Sequence, residues 1–151
     1  MIKISLNMIN VAEYKLHGDY YYWSHGLTWA KVESDMKIRV GLTDLAMKLA
    51  GKIRFIRIKP PGSLVEQGSG VATMETGKWV GPVESPVSGT IKEINRGIRR
   101  KPQTLNNDPY GEGWVALLEP SKTEELQGLV HEEGLIDWYK KEIETRVKKQ
   151  L

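Results

Sequence analysis

The chain has 151 residues, 40% of them hydrophobic and 27% charged, which favours one globular domain of ordinary soluble composition with room for a real core. It contains no cysteine, so disulfides, thiolate metal sites and cysteine nucleophiles are excluded, and a net charge of +3 is too weak to point to nucleic acid. No apolar run approaches the ~18 residues of a membrane span or forms a signal-peptide core, so no membrane contact is expected and a cytoplasmic location is the default.

Residues 1–18 read as an N-terminal leader, in which the alternation of Ile2, Ile4 and Leu6 predicts an edge strand. A main domain spans 19–130. It opens with strands over Tyr20–Trp23 and Thr28–Val32, with Ser24-His25-Gly26 in the turn between them. Lys37–Val40 is a further strand. Thr43 is placed to cap a short helix over Asp44–Ala50, and Gly51 to stop it. Ile53, Phe55 (or the out-of-phase Ile56) and Ile58 predict a strand that Pro60-Pro61-Gly62 ends.

Gly68, Gly70, Gly77, Gly81, Pro82, Pro86 and Gly89 then punctuate short extended pieces, the pattern of a compact β-sandwich or barrel. Thr90–Ile94 is a strand with Ile91 and Glu93 on one face and Lys92 and Ile94 on the other. Arg96, Arg99, Arg100 and Lys101 form a basic cluster, either a solvated loop or a docking patch for an acidic partner. Asn106–Gly111 is a loop, with Asp108 bonding its backbone, and Trp114–Leu118 a closing strand.

Ser121 and Glu124 have the spacing of a capping box. Residues 131–151 form a C-terminal helix packed on the same domain. Leu135, Tyr139, Ile143 and Val147 make its apolar stripe, beside Ile136 and Trp138. Lys140, Lys141, Arg146, Lys148 and Lys149 lie largely off that stripe and suit the negative helix terminus.

The most informative stretch is Met74-Glu75-Thr76-Gly77-Lys78-Trp79-Val80-Gly81-Pro82, followed by Ser85-Pro86-Val87-Ser88-Gly89. It reads as two β segments with Lys78 at the turn. A lysine at a hairpin tip is poorly placed for a salt bridge and well placed to be presented to another enzyme. Gly77 permits the backbone angles of a tight turn. The stretch is not a phosphate-binding loop. Ala72 stands where the first glycine belongs, and Trp79 replaces the serine or threonine that would hold magnesium. His17, His25 and His131 lack metal-ligand spacing. No nucleophile–base pair appears, so no catalytic residue is assigned.

The hairpin resembles the attachment site of lipoyl and biotinyl carrier domains. Biotin carriers usually flank the lysine with methionine, whereas Gly77 and Trp79 flank Lys78 here, which favours lipoate. Val40-Gly41-Leu42-Thr43-Asp44-Leu45-Ala46, Pro86-Val87-Ser88-Gly89 and Asn107-Asp108-Pro109-Tyr110-Gly111-Glu112-Gly113-Trp114 extend the match, and residues 20–130 resemble the H protein of the glycine cleavage system. The resemblance implies a mainly β fold with flanking helices, a lipoyl/biotinyl-type barrel-sandwich hybrid. It implies lipoate joined as an amide to Lys78, and a non-catalytic shuttle among enzymes. Implied partners are a lipoyl ligase or transferase and the enzymes served, dihydrolipoamide dehydrogenase among them.

Two departures shape the reading of pathway. The usual family attachment site, Glu-Ser-Val-Lys-Ala, is here Glu75-Thr76-Gly77-Lys78-Trp79. The acidic residue usual after the early Ser-His pair is Gly26. The Gly77–Pro82 sequence looks more like lipoate-binding proteins of heterodisulfide-reductase-like sulfur oxidation, so sulfur intermediates are the expected cargo, with an aminomethyl group of glycine cleavage as the alternative. An unmodified β-sandwich interaction module is the alternative of another class. Around Lys78, Trp79 is either an apolar rest for the arm or a packing residue on the hairpin base. Glu75 serves recognition by the attaching enzyme or a hairpin salt bridge. His25 is either an arm contact or a satisfied turn residue, since no carboxylate partner is visible near it in sequence.

Overall fold

A computed structural model describes residues 8–148. In chain order the strands are β1 (Met8–Val11), β2 (Tyr14–His17), β3 (Tyr21–Trp23), β4 (Thr28–Val32), β5 (Ile38–Leu42), β6 (Phe55–Ile58), β7 (Leu64–Val65), β8 (Gly70–Glu75), β9 (Val80–Glu84), β10 (Gly89–Ile94) and β11 (Ala116–Pro120). The helices are α1 (Asp44–Ala50), α2 (Arg96–Arg100), α3 (Thr104–Asn107) and α4 (Leu135–Lys148), with a 3-10 turn at Thr123–Gly128.

The described pairings are antiparallel and make two main sheets. One is six-stranded in the order β3-β4-β5-β11-β10-β7, the other three-stranded in the order β6-β8-β9. Trp29, Ile38, Leu42, Leu45, Met47 and Ile91 are among the fully buried side chains of the core. Each such aliphatic side chain contributes about 1.5–3 kcal/mol by leaving water. The architecture is mainly β with flanking helices, as expected.

The segment read as a leader holds β1 and β2, which form their own hairpin with Val11 and Leu16 buried. The Ile2, Ile4 and Leu6 alternation lies outside the described residues. β2 fixes the start of α1. The Asp44 amide donates to the Tyr110 hydroxyl (3.1 Å), the Leu45 amide to the Tyr139 hydroxyl (3.1 Å) and the Ala46 amide to Thr43 Oγ1 (3.1 Å). Both tyrosines in turn donate to the Lys15 carbonyl, at 2.7 and 2.9 Å. Three amides that a helix start leaves without partners are thereby satisfied. The expected Thr43 cap and the Gly51 stop (φ 82°) are both present.

Several local expectations are corrected. In β6 the buried residues are Ile56 and Ile58, and Phe55 faces outward, 52% exposed. In β10 a bulge between Ile91 and Glu93 breaks the alternation, so Lys92 and Glu93 are both exposed. An extra residue on one strand shifts the phase of every side chain after it. The capping box does not form: the 3-10 turn starts at Thr123 without a side-chain cap. Its Glu125 instead accepts from the Ser88 amide (2.7 Å) and hydroxyl (2.8 Å). The basic cluster lies on α2 and, with Lys101, at its C-cap; Asn95 caps the start of α2 by accepting from the Gly97 amide, and Asn106 and Asn107 belong to the one-turn α3. Asp108 Oδ2 accepts from the Glu112 amide (2.9 Å), as read.

The C-terminal helix begins at Leu135 rather than at 131, after Glu132 and Gly134 take positive φ. Leu135 and Tyr139 are buried, and Ile143 and Val147 pack against the core. Ile136 is 42% exposed, because it falls off the stripe. Residues 149–151, the expected helix end, lie outside the described residues.

Candidate functional site

β8 and β9 pair in register from Glu75↔Val80 through Met74↔Gly81, and the chain reverses between them at Thr76–Trp79. Thr76 organises this reversal. Its amide donates to the Trp79 carbonyl (2.8 Å), and its buried hydroxyl oxygen accepts from the amides of Lys78 (3.2 Å) and Trp79 (3.1 Å). Such hydroxyl-closed turns are a known habit of threonine, but nothing in the linear spacing singles out Thr76. The neighbouring β6 holds the base, with the Arg54 amide donating to the Glu75 carbonyl (2.9 Å).

Lys78 is exposed at the tip and forms no ion pair among the described residues. Glu75 is also exposed and makes no ion pair there, so the hairpin salt bridge considered for it is absent. Gly77 is not in the positive-φ region, contrary to the reason given for it. A Cβ there would stand 3.1 Å from the Arg54 guanidinium carbon, the far end of a flexible side chain. At Gly81 the conflict is sharper, since a Cβ on it would collide with the Trp79 ring. The indole therefore folds back over Gly81 and keeps 44% of its surface exposed. Packing on the hairpin and lining the cleft beside Lys78 are both true of Trp79.

That cleft has a volume of about 430 Å³. Leu27, Leu42, Ala46, Leu49, Ala50 and Met74 supply its apolar wall. α1 thus contributes one side and the hairpin the other. Polar groups converge at the mouth: His25, Glu84 and Arg146. Glu84 is 16% exposed; it accepts from Trp23 Nε1 (2.8 Å) and lies 2.8 Å from His25 Nδ1. The His25 ring remains 80% exposed. A carboxylate partner for His25 therefore exists, delivered by β9 from 59 residues away.

The C-terminal helix holds this corner. Arg146 donates to the carbonyls of Ser24 (2.8 Å) and His25 (3.2 Å) and to Glu142 (2.8 Å). Ser24 Oγ donates to Glu142 (2.5 Å) and accepts from Trp138 Nε1 (2.9 Å). Sequence reading placed Arg146 largely off the apolar stripe, suited to the negative helix terminus, and missed the part that it and Glu84 play here. The only available signal was that Arg146 and Glu142 have i, i+4 spacing.

Taken together, the structure brings Lys78, Trp79 and His25 to one cleft and leaves Gly77 and Glu75 at the turn. The wall beside Lys78 is suited to an aliphatic group, whereas a charged ammonium would be costly to bring against it.

The family model described as glycine cleavage H-protein matches residues 19–142. The chain is 46% identical over 127 residues to glycine cleavage system H protein 2 of Aquifex aeolicus, covering 83% of this chain and 79% of that one. It is 50% identical over 111 residues to a probable glycine cleavage system H protein 2 of Saccharolobus solfataricus, covering 72% and 75%. Among solved structures it is similar to a glycine cleavage system H protein from Mycobacterium marinum. That match has a TM-score of 0.65 and 28% identity, and covers 75% of this chain and 97% of the other. The two sheets are thus those of a lipoyl-type barrel-sandwich fold.

Proposed function

The chain belongs to the glycine cleavage H-protein family, whose members are carriers and not catalysts, and from that premise we propose that Lys78 is the residue on which it bears lipoate. The observation that carries this reading is an unpaired, exposed amine on a threonine-closed turn, beside a cleft of about 430 Å³ with an apolar wall. When attached, the dithiolane supplies a reversible disulfide–dithiol couple. The chain supplies the rest. β8 and β9 hold the root rigid, Thr76 fixes its direction, and the wall of α1 with Trp79 gives the arm a place to rest. A lipoyl ligase or transferase forms the amide. The location proposed is the cytoplasm; among the described residues no helix is long and apolar enough to cross a membrane.

For the cargo, the Gly77-Lys78-Trp79-Val80-Gly81-Pro82 sequence supports sulfur intermediates passed between enzymes of heterodisulfide-reductase-like sulfur oxidation. Its structural counterpart is the Trp79 ring stacked over Gly81 beside the turn. A second reading, an aminomethyl group carried for glycine cleavage, is favoured by the names of the relatives and by Glu84. A carboxylate at the cleft mouth can hold an ammonium by a charge-assisted hydrogen bond, and its apparent absence was an argument against this cargo. Neither relative is named for sulfur chemistry.

Intact mass of the protein from its native source tests the attachment. A lipoyl shift that disappears in Lys78→Arg supports it. A bare Lys78 after incubation with a competent ligase and donor removes it and leaves an unmodified interaction module. Mass of the arm-bound group, sulfur or aminomethyl, then decides the cargo.

A further inference from the structure

The outer face of the β6-β8-β9 sheet carries a second feature that the carrier chemistry does not use. Register places Phe55 opposite Glu75, and Glu75 opposite Val80. Phe55 is 52% exposed and Val80 62% exposed, and the exposed Glu75 stands between them. Two large exposed apolar side chains therefore flank a carboxylate in one row across the sheet, at the end that presents Lys78.

The row continues into a groove of about 480 Å³ between β6 and α2. Its floor is Ile56, Ile58, Pro60 and Ile94, and its rim is Arg57, Arg96 and Arg99. An adjoining hollow adds Arg100. No acidic side chain lines either depression. None of these arginines, nor Lys101, forms an ion pair among the described residues. α2 has five residues, and only Ile98 is buried, so its cations are held outward by one anchored side chain. Elsewhere the chain does pair its cations, as Arg39 with Glu33 (2.6 Å) and Arg146 with Glu142 (2.8 Å).

We propose that this groove, with Phe55 as its exposed apolar contact and Arg57, Arg96 and Arg99 as its rim, is a docking surface for an acidic protein segment carrying an apolar residue between carboxylates. Charge complementarity chooses the occupant: unpaired arginines around an apolar floor match carboxylates around an apolar side chain. Arginine and aromatic residues are also the residues that interfaces favour. The position beside the Lys78 turn lets a partner that works on the arm grip the body of the carrier while the tip enters it. That last clause rests on the carrier reading; the surface itself does not.

The test uses the full chain, isotope-labelled, with Lys78 unmodified. It is titrated with a synthetic peptide of leucine flanked by glutamates and observed by amide chemical shifts. Shifts are expected at Phe55, Arg57, Arg96 and Arg99. Affinity is expected to fall at least about tenfold when glutamine replaces glutamate in the peptide, or in the Arg96→Glu/Arg99→Glu variant. Phe55→Ala is expected to weaken binding by a similar factor. Arg96→Gln/Arg99→Gln, which adds no new charge, should fall between. No binding overturns the proposal. So does equal binding of the glutamine peptide, or shifts centred on Lys140 and Lys141 of α4. An oligothymidylate or pyrophosphate that moves the same residues as tightly, with Phe55→Ala without effect, would identify a general anion surface instead. Lys78→Arg should leave the titration unchanged, so a failure of docking and a failure of lipoylation read out separately.

Discussion

A Cβ placed on Gly26 would stand 2.8 Å from the Cβ of Glu84. The two positions share one volume. The acid that the family usually places after the early histidine could not be accommodated here alongside Glu84, and Glu84 supplies a carboxylate to the same histidine from another strand. What reads in sequence as the loss of a charge is a relocation of it.

This sharing predicts non-additive energetics. Gly26→Ala should push Glu84 off Trp23 and His25 and destabilise the chain by about 1–3 kcal/mol, as overpacking does. Glu84→Ala alone should cost about 1.5–3 kcal/mol, for a lost charged acceptor. The double variant should be milder than the sum by at least about 0.5 kcal/mol. Urea denaturation of the four proteins measures the cycle, and strict additivity would refute the shared volume.

Trp79 and Gly81 predict a spectroscopic effect with little change in stability. Gly81→Ala should displace the indole into solvent and red-shift its emission. The chain has five tryptophans, so the shift should be assigned by its absence in a Trp79→Phe background. Stability should change by less than about 1 kcal/mol, because this tip packs little of the core.

Thr76 closes the turn that presents Lys78. Thr76→Val keeps the shape and removes an acceptor shared by two amides, at a cost of about 1–3 kcal/mol. Lipoylation of Lys78 by a ligase should slow, and Thr76→Ser should restore both rate and stability. Unchanged modification kinetics in the valine variant would show that the turn is held by its strands alone.

Tyr139→Phe removes a hydroxyl that donates to the Lys15 carbonyl and accepts from the Leu45 amide. The stranded amide should cost about 1–3 kcal/mol. The largest loss of hydrogen-exchange protection should fall on β2 and α1.

Alkaline pH should unfold the protein through its buried phenols. Burial pushes Tyr20 and Tyr139 up to about 12, and Tyr22 and Tyr110 well above their usual range. In the unfolded chain tyrosine ionises near 10. Between those values the unfolded state has released protons that the folded state still holds, so stability is complete below about pH 10 and is lost as pH rises towards about 12. Tyrosinate absorbance should appear together with loss of near-ultraviolet dichroism. Titration of all the phenols at ordinary pH without unfolding would contradict it.

Much of the scaffold was legible in the chain. Thr43 and Gly51 mark α1 because capping is a local hydrogen-bond problem with few side chains that solve it. Lys78 at a tip between strands was legible for the same reason, as was the stripe of Leu135 and Tyr139. The errors fell where a non-local fact overrode a local one. The apparent capping box of Ser121 and Glu124 is absent, and the next residue, Glu125, reaches Ser88, 37 residues away. The phase of β10 fails because its bulge is defined by β11.

Sequence by itself placed Lys78 at a reversal between two strands, since periodicity, capping and glycine–proline punctuation act over a few residues. Only the tertiary structure decided what surrounds that amine. Glu84, Arg146 and the arginine-rimmed groove by Phe55 are brought into place by strand pairing and by the return of the last helix. Such contacts depend on register and packing between distant segments, which no short window of residues encodes.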